Sequence, residues 1–354
     1  MKKQPTVVIC LSPYSGGMEL DAIKLAKKLS SYSEVVMIAK SGYFVESKQD
    51  EYVGFNNIKL ETISFKSNLG FSIIINVRRV IKEHGIKNVI FFGASELKSL
   101  YFAFWGVDIN LIVRHGTTKS TPKKDWFHRL IYSNVNYHVS ICRHLFKNVR
   151  DIIPFGKDTK DRVIYSSYNT KKIVHIKQNR LTLLHIGRIA SGKGQIDAIK
   201  ACDILVQNGV DFVFNIVGGY DEIYKDEFLN FYNQCLYKDK INIIGFVDDI
   251  EPYLQKSDIF LFPSYGEGLS NAFLEAISYN MVCLTYNNTS FPELQDLGLN
   301  FHMADNLNVV DLKNKLLYIS KNIEQERNKL QNSKFVKEFF SFDKEITSYL
   351  DILK

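Results

Sequence analysis

Short apolar runs alternate along this chain with stretches in which apolar residues recur every three to four positions, the pattern of buried strands followed by one-sided helices. In the first half, the runs Thr6 to Leu11, Val35 to Ala39, Asn88 to Phe92, Asn110 to Val113 and Tyr137 to Ile141 predict strands. Between the first two, Ala22, Leu25, Ala26 and Leu29 fall on one helical face. The second half repeats this order, with strands expected near Leu181 to Ile186, Phe212 to Val217, Ile241 to Phe246, Ile259 to Phe262 and Val282 to Thr285. Two successive runs of β then α predict two doubly wound α/β domains.

The domain boundary is expected in the polar, aperiodic stretch Tyr165 to Asn179, giving a first domain over 1–168 and a second over 169–335. In the last segment, 336–354, Ile346, Tyr349, Leu350 and Leu353 lie at helical spacing, so this helix should dock. A chain of 354 residues is long enough for two cores. It has no apolar run approaching the roughly 18 residues of a membrane span. Residues 1–11 suit a first strand better than a signal peptide, which makes a cytoplasmic location the expectation. The five cysteines are odd in number and scattered, with no C-x-x-C pair, so they predict core thiols rather than disulfides or structural zinc.

Charge changes the picture in one place. From Arg114 to Arg150 eight Lys or Arg face one acid, Asp125, which accounts for the whole net charge of +7. Trp126, Phe127, Tyr132, Tyr137 and Phe146 are interleaved with them. Such a mixture suits an anionic membrane surface, a phosphate-bearing substrate or nucleic acid, or is a solvated basic face without a partner. No nucleic-acid reader motif accompanies the charge, so nucleic acid is not expected as a partner.

Open α/β sheets bind ligands at the carboxyl ends of their strands, and three strand-to-helix junctions carry candidate chemistry. In "LSPYSGGMEL", Gly16 and Gly17 allow either a close backbone approach to an anion at a helix start or a plain tight turn. In "HIGRIASGKGQ", Arg188 and Lys193 offer two cations on a Gly-rich loop, suited to a diphosphate or merely solvated. In "FPSYGEGLSNAFLEA", Glu267 and Glu275 are eight positions apart. If the whole stretch were helical they would be separated by about 12 Å. That exceeds the roughly 5 to 9.5 Å of paired glycosidase carboxylates, so the two acids read as grips on an elongated ligand. The amides of Leu269, Ser270 and Asn271 would then face its phosphates.

"GRIASGK" followed some eighty residues later by "FPS" and "GEGLSNAFLEA" resembles the signature of the retaining glycosyltransferases of family 4. "SGGMEL", "RHGTTKS" and "NYHVSICRHL" match more loosely, and "HGTTKSTPKKDWFHRLIY" is similar to enzymes that build lipopolysaccharide and other surface glycans. The resemblance implies the GT-B fold, two Rossmann-like domains facing a central cleft. The first would bind acceptor, the second would bind the nucleotide sugar, and the C-terminal helix would return to the first domain. It implies that Glu275 holds a ribose, that Glu267 contacts the donor hexose, and that Arg188 and Lys193 neutralise the leaving diphosphate. Gly187, Gly268, Leu269, Ser270 and Asn271 would line the donor, and the main chain at Phe246 would meet the base. Gly16 and Gly17 would approach phosphate or acceptor, and His115 would lie near the reacting sugar.

The implied reaction moves a hexose or N-acetylhexosamine from a nucleotide sugar, by family tendency a UDP sugar, to a lipopolysaccharide, O-antigen or lipid-linked acceptor. No cofactor or metal is expected, since Asp248 and Asp249 sit in a polar turn rather than a metal-binding D-x-D. Lys119, Lys123, Lys124 and Arg129 would meet acceptor or an anionic membrane, placing the protein peripherally on its cytoplasmic face. A nucleotide-sugar epimerase and a catalytically silent glycan-binding protein are the competing readings, because a fold does not fix a reaction.

Overall fold

The computed structural model describes residues 4–14, 16–55, 58–93, 95–168 and 174–354. They form two compact units, one running to Ser166 and taking in Phe342–Lys354, the other spanning Ser167–Ser341. The changeovers thus fall at 166/167 and 341/342, against the expected 168/169 and 335/336. The helix Asn332–Phe339 lies in the second unit and the helix Phe342–Leu350 in the first. Residues 169–173 of the expected boundary stretch lie outside the described residues.

The first unit holds a seven-stranded parallel sheet of β1 (Thr6–Cys10), β2 (Val35–Lys40), β3 (Lys59–Ile63), β4 (Asn88–Phe92), β5 (Asn110–His115), β6 (Tyr137–Ser140) and β7 (Lys160–Val163). Their order is β3-β2-β1-β4-β5-β6-β7. The second holds a six-stranded parallel sheet of β8 (Leu181–Ile186), β9 (Phe212–Val217), β10 (Ile241–Gly245), β11 (Ile259–Phe262), β12 (Val282–Tyr286) and β13 (His302–Ala304), ordered β10-β9-β8-β11-β12-β13. In each sheet the chain builds outward one way and then the other, so the order reverses between β1 and β4 and between β8 and β11. The sequence reading missed β3, β7 and β13. All three are edge strands or their equivalents at the sheet margins, half-exposed or very short, and show no buried apolar run.

Central strands are covered on both faces, which is why they read as unbroken apolar runs rather than alternating ones. Along β1, Val7 and Ile9 pack with the helix Phe71–Glu83, through Ile73, Val77 and Val80, while Val8 and Cys10 pack with the helix Gly17–Leu29, through Ala22, Leu25 and Leu29. The C-terminal segment completes that second layer. Ile346, Tyr349, Ile352 and Leu353 join the cluster around Val8 and Cys10, and Lys28 pairs with Glu345. The last residues also close the foot of the sheet: Asn110 Nδ2 donates to the Ile352 carbonyl at 2.7 Å, and the Lys354 amide donates to Asn88 Oδ1 at 2.9 Å.

This packing predicts that Ile346→Ala lowers the stability of the first unit by about 2 to 4 kcal/mol, the cost of a large-to-small change in a closed core. Chemical denaturation followed by fluorescence checks it; a change below about 0.5 kcal/mol would mean that the terminal helix is only loosely applied.

Candidate active site

In the second unit, the loops leaving β8 and β11 meet at the point where the strand order reverses, the place where open α/β sheets bind ligands. Two close backbone approaches lock the loop leaving β8, one against the loop after β11 and one against the loop after β9. Gly194 has φ of 75°, and a Cβ there would sit 1.9 Å from the Pro263 carbonyl oxygen. Gly218, at the end of β9, has φ of 148°, and its Cβ would lie 2.1 Å from the Gly187 carbonyl oxygen. Glycine is the residue that satisfies both demands. Hydrogen bonds continue the lock, with the Tyr265 amide donating to the Gly192 carbonyl at 2.8 Å and the Ile189 amide to the Gly219 carbonyl at 2.8 Å.

This lock brings Lys193 and Glu267 together across 74 residues of sequence. The ammonium donates to Glu267 Oε1 at 2.7 Å, and the Ser264 hydroxyl lies 2.8 Å from the same oxygen. The carboxylate side chain is 11% exposed and the lysine 32%, so the pair opens to solvent mainly through the ammonium. His185 fixes the loop from below: its Nε2–H donates to the Lys193 carbonyl at 3.0 Å, which makes it the neutral Nε2–H tautomer. Arg188 is exposed and 3.7 Å from Asp221, a loose pair, while its carbonyl accepts from Gln195 Nε2 at 3.0 Å. A short loop therefore presents one pinned cation and one that is exposed and loosely paired.

The helix after Glu267 begins later than its sequence suggests. Ser270 is its N-cap, with Oγ accepting from the Phe273 amide at 3.3 Å, and the helix runs Asn271–Ser278. Gly268 and Leu269 belong to the loop. The helical spacing of about 12 Å between Glu267 and Glu275 therefore does not apply, because half of the interval is not helix. Glu275 is half-buried in the second turn and lies close enough to Tyr168 to help raise that phenol to about 12, after burial itself. Phe246 follows β10 beside Gly219, with its ring largely exposed.

In the first unit, the helix begins at Gly17 with Gly16 as its N-cap. His115 does not stand on a loop. It is the last residue of β5, 1% exposed, and its Nε2 is 2.8 Å from Nδ1 of the equally buried His138. Its ring is therefore engaged in a core contact with His138 and is almost wholly withdrawn from solvent. Arg114 is likewise withdrawn from the basic surface. It is buried, donating to Asp21 Oδ2 and Ser166 Oγ, both at 2.5 Å. Arg150 pairs with Asp161. Lys124 and Arg129 remain exposed beside Trp126, which Asp125 places by capping the helix Trp126–Tyr132. Lys119 and Lys123 are partly buried; burial first, and then the charge of Lys123, lowers Lys119 to about 8.

Two features of this candidate site were not legible in the sequence: the Lys193–Glu267 pair and the support of Glu267 by Thr289, whose Oγ1 accepts from the Glu267 amide at 2.9 Å. No local motif links positions so far apart.

Burial lowers His185 to about 4 and His138 to about 3. The unfolded chain binds protons on these rings near the usual 6.5, so it gains over the folded form below that pH. Stability should be fully present above about pH 6.5 and be lost as pH falls toward 4 and then 3. Denaturation midpoints measured from pH 8 to pH 4 check this; a midpoint constant down to pH 5 would contradict it.

Residues 167–335, nearly the whole second unit, match the family described as Glycosyl transferases group 1. A UDP-Gal:alpha-D-GlcNAc-diphosphoundecaprenol alpha-1,3-galactosyltransferase of Escherichia coli is 31% identical over 140 residues, 38% of this chain and 36% of that protein. The match therefore spans little more than a third of that relative's length. The capsular polysaccharide biosynthesis glycosyltransferase CapH of Staphylococcus aureus is 24% identical over 290 residues, 77% of this chain and 78% of CapH. Among solved structures, Anabaena HepE in complex with UDP and glucose superposes with a TM-score of 0.80 at 15% identity, covering 98% of this chain and 99% of that one. A glycosyltransferase from Rickettsia africae superposes with a TM-score of 0.82 at 17% identity, covering 99% and 98%. These likenesses establish the GT-B fold.

Proposed function

From the premise that residues 167–335 are a group 1 glycosyltransferase domain of the kind found in surface-polysaccharide assembly, we propose that this protein is a retaining hexosyltransferase. It would use a UDP sugar and a lipid-linked or lipopolysaccharide acceptor. The observation that carries the reading is the Lys193–Glu267 pair at the reversal of strand order, beside the capped start of the helix Asn271–Ser278. The names of the Escherichia coli relative and of HepE, with their UDP-Gal and UDP, favour a UDP sugar.

In this reading Lys193 and Arg188 meet the diphosphate, and the amides of Leu269, Ser270 and Asn271 add the positive end of a helix. Glu267 accepts hydrogen bonds from hexose hydroxyls, and Glu275 accepts from the ribose. The bond from the anomeric carbon to the diphosphate oxygen breaks as negative charge gathers on the diphosphate. An acceptor hydroxyl then forms its bond on the same face and passes its proton to the departing oxygen. Cations held in place by the fold stabilise that charge without reorganising, which is where much of the rate would arise. Two side-chain cations make a divalent metal unnecessary for this task.

Turnover with a UDP sugar in buffer containing chelator should persist, and Lys193→Ala should cut kcat by roughly 10² to 10³, the loss typical of a preorganised charge-stabilising donor. Wild-type turnover that stops in chelator and returns with magnesium or manganese would refute the metal-independent mechanism; a Lys193→Ala enzyme of undiminished kcat would refute the role of the pair.

The acceptor side is proposed to work at an anionic membrane surface. The helices Phe71–Glu83, Leu97–Ala103 and Trp126–Tyr132 pack side by side in the first unit. Phe71 is 83% exposed and Trp126 76%, and Ile75, Trp105 and Leu130 are also exposed. Lys124 and Arg129 stand in solvent among them, and Lys123 reaches it in part. Apolar rings that enter an interface, next to cations that attract anionic headgroups, form a peripheral contact. No helix among the described residues is long and apolar enough to cross a membrane.

Lys123→Glu with Lys124→Glu should weaken binding to phosphatidylglycerol vesicles at least tenfold at low salt, leaving the UDP affinity unchanged. Equal sedimentation of wild type and variant with the vesicles would remove the membrane from the proposal.

A further inference from the structure

Three non-glycine residues among those described have positive φ: Asn280 at 53°, Leu307 at 57° and Thr289 at 45°. Asparagine tolerates this region, and Leu307 sits in an exposed turn. Thr289 is the β-branched one, for which a left-handed backbone is a true outlier. Strain of this kind persists where the surroundings over-determine it, and it concentrates at ligand clamps.

The surroundings of Thr289 point one way. Its Oγ1 accepts from the Glu267 amide at 2.9 Å and donates to Asn288 Oδ1 at 3.1 Å, so both functions of the hydroxyl are engaged. Asn288 in turn donates from Nδ2 to the Ser264 carbonyl at 2.9 Å and to Asn306 Oδ1 at 2.8 Å. The loop after β12 thus holds the loop after β11 at Ser264 and at Glu267, on either side of the turn that carries the carboxylate. Gly266 completes the fit, since a Cβ there would come within 3.3 Å of Thr289 Cγ2. Glycine at 289 would remove the backbone strain but also the acceptor for the Glu267 amide. The chain holds threonine in a glycine conformation, and what that retains is the hydroxyl.

We infer that Thr289 is a positioning residue for sugar transfer, holding the Glu267 peptide so that its carboxylate stays both at Lys193 and at the hexose. Its strained backbone is the cost of placing a hydroxyl where glycine would be relaxed. This inference rests on the donor reading above for its functional half; the hold on the Glu267 peptide is independent of it.

The experiment compares Thr289→Gly, Thr289→Val and Thr289→Ser in the full chain. Hydrogen exchange of peptides covering residues 264–270 should accelerate in the Gly and Val variants and stay at the wild-type rate in Ser. With UDP-glucose or UDP-galactose, whichever the wild type turns over, kcat/KM should fall roughly tenfold in Gly and Val. It should return to within twofold of wild type in Ser. The melting midpoint of Thr289→Gly should match or exceed wild type, which separates lost positioning from lost folding. Unchanged exchange in the Gly and Val variants, or a Ser variant as impaired as Gly, overturns the inference. A wild type that neither binds nor turns over any UDP sugar overturns the donor reading instead, and the exchange experiment still decides whether Thr289 holds the peptide.

Discussion

A parallel sheet must be covered on both faces, because its strands present apolar side chains alternately to each side. Here that demand is met twice, by helices such as Gly17–Leu29 and Phe71–Glu83 on the two faces of the first sheet, and Gln195–Gln207 and Asn271–Ser278 on those of the second. Every connection that returns from helix to strand is then spent on crossing the sheet, and all strands of a unit point the same way. Their carboxyl ends gather on one edge, with the helix starts beside them. The chemistry of the second unit follows from this constraint: Gly187 to Gly194, Pro263 to Ser270 and Asn287 to Ser290 all leave that edge.

Within that edge, backbone contact precedes electrostatics. The close approach of Gly194 to Pro263 sets the distance between two loops, and only then can Lys193 reach Glu267. A single carboxylate oxygen receives the ammonium and lies within reach of the Ser264 hydroxyl, while the amide of the same residue is held by Thr289. The lysine is the more exposed partner. In the proposed reaction, an incoming diphosphate would meet a cation already oriented, with little conformational freedom left to lose.

In the first unit the same physics removes charges from the surface. Arg114 looks like part of a basic run, yet it lies on a covered strand where an unpaired guanidinium would be costly, and Asp21 from the neighbouring helix satisfies it. His115 and His138 share one contact inside the same sheet and stay neutral, burial being the largest cause in both. What remains at the surface of the basic run is Lys124, Arg129, Arg143 and Lys147, with Lys119 and Lys123 exposed in part and Arg150 tied to Asp161.

The order of strands and helices was determined by the sequence alone, since central strands such as "NVIFF" and "IFLF" declare themselves by composition. The loops bearing Arg188, Lys193 and Glu267 were legible too, as was the helix that carries Glu275, because glycine-rich punctuation and charged residues fall at strand ends. Margin strands such as β7, "KDRV", were not, because a half-exposed strand needs no apolar run. The start of the helix after Glu267 was off by two residues, because a cap such as Ser270 depends on backbone geometry. Only the tertiary structure decided which charges pair, that Arg114 and His115 are interior, and that Thr289 carries the peptide of Glu267. Such facts concern residues far apart in the chain, and the energy of a buried charge or a strained φ is set by what the fold brings against it, not by its neighbours in sequence.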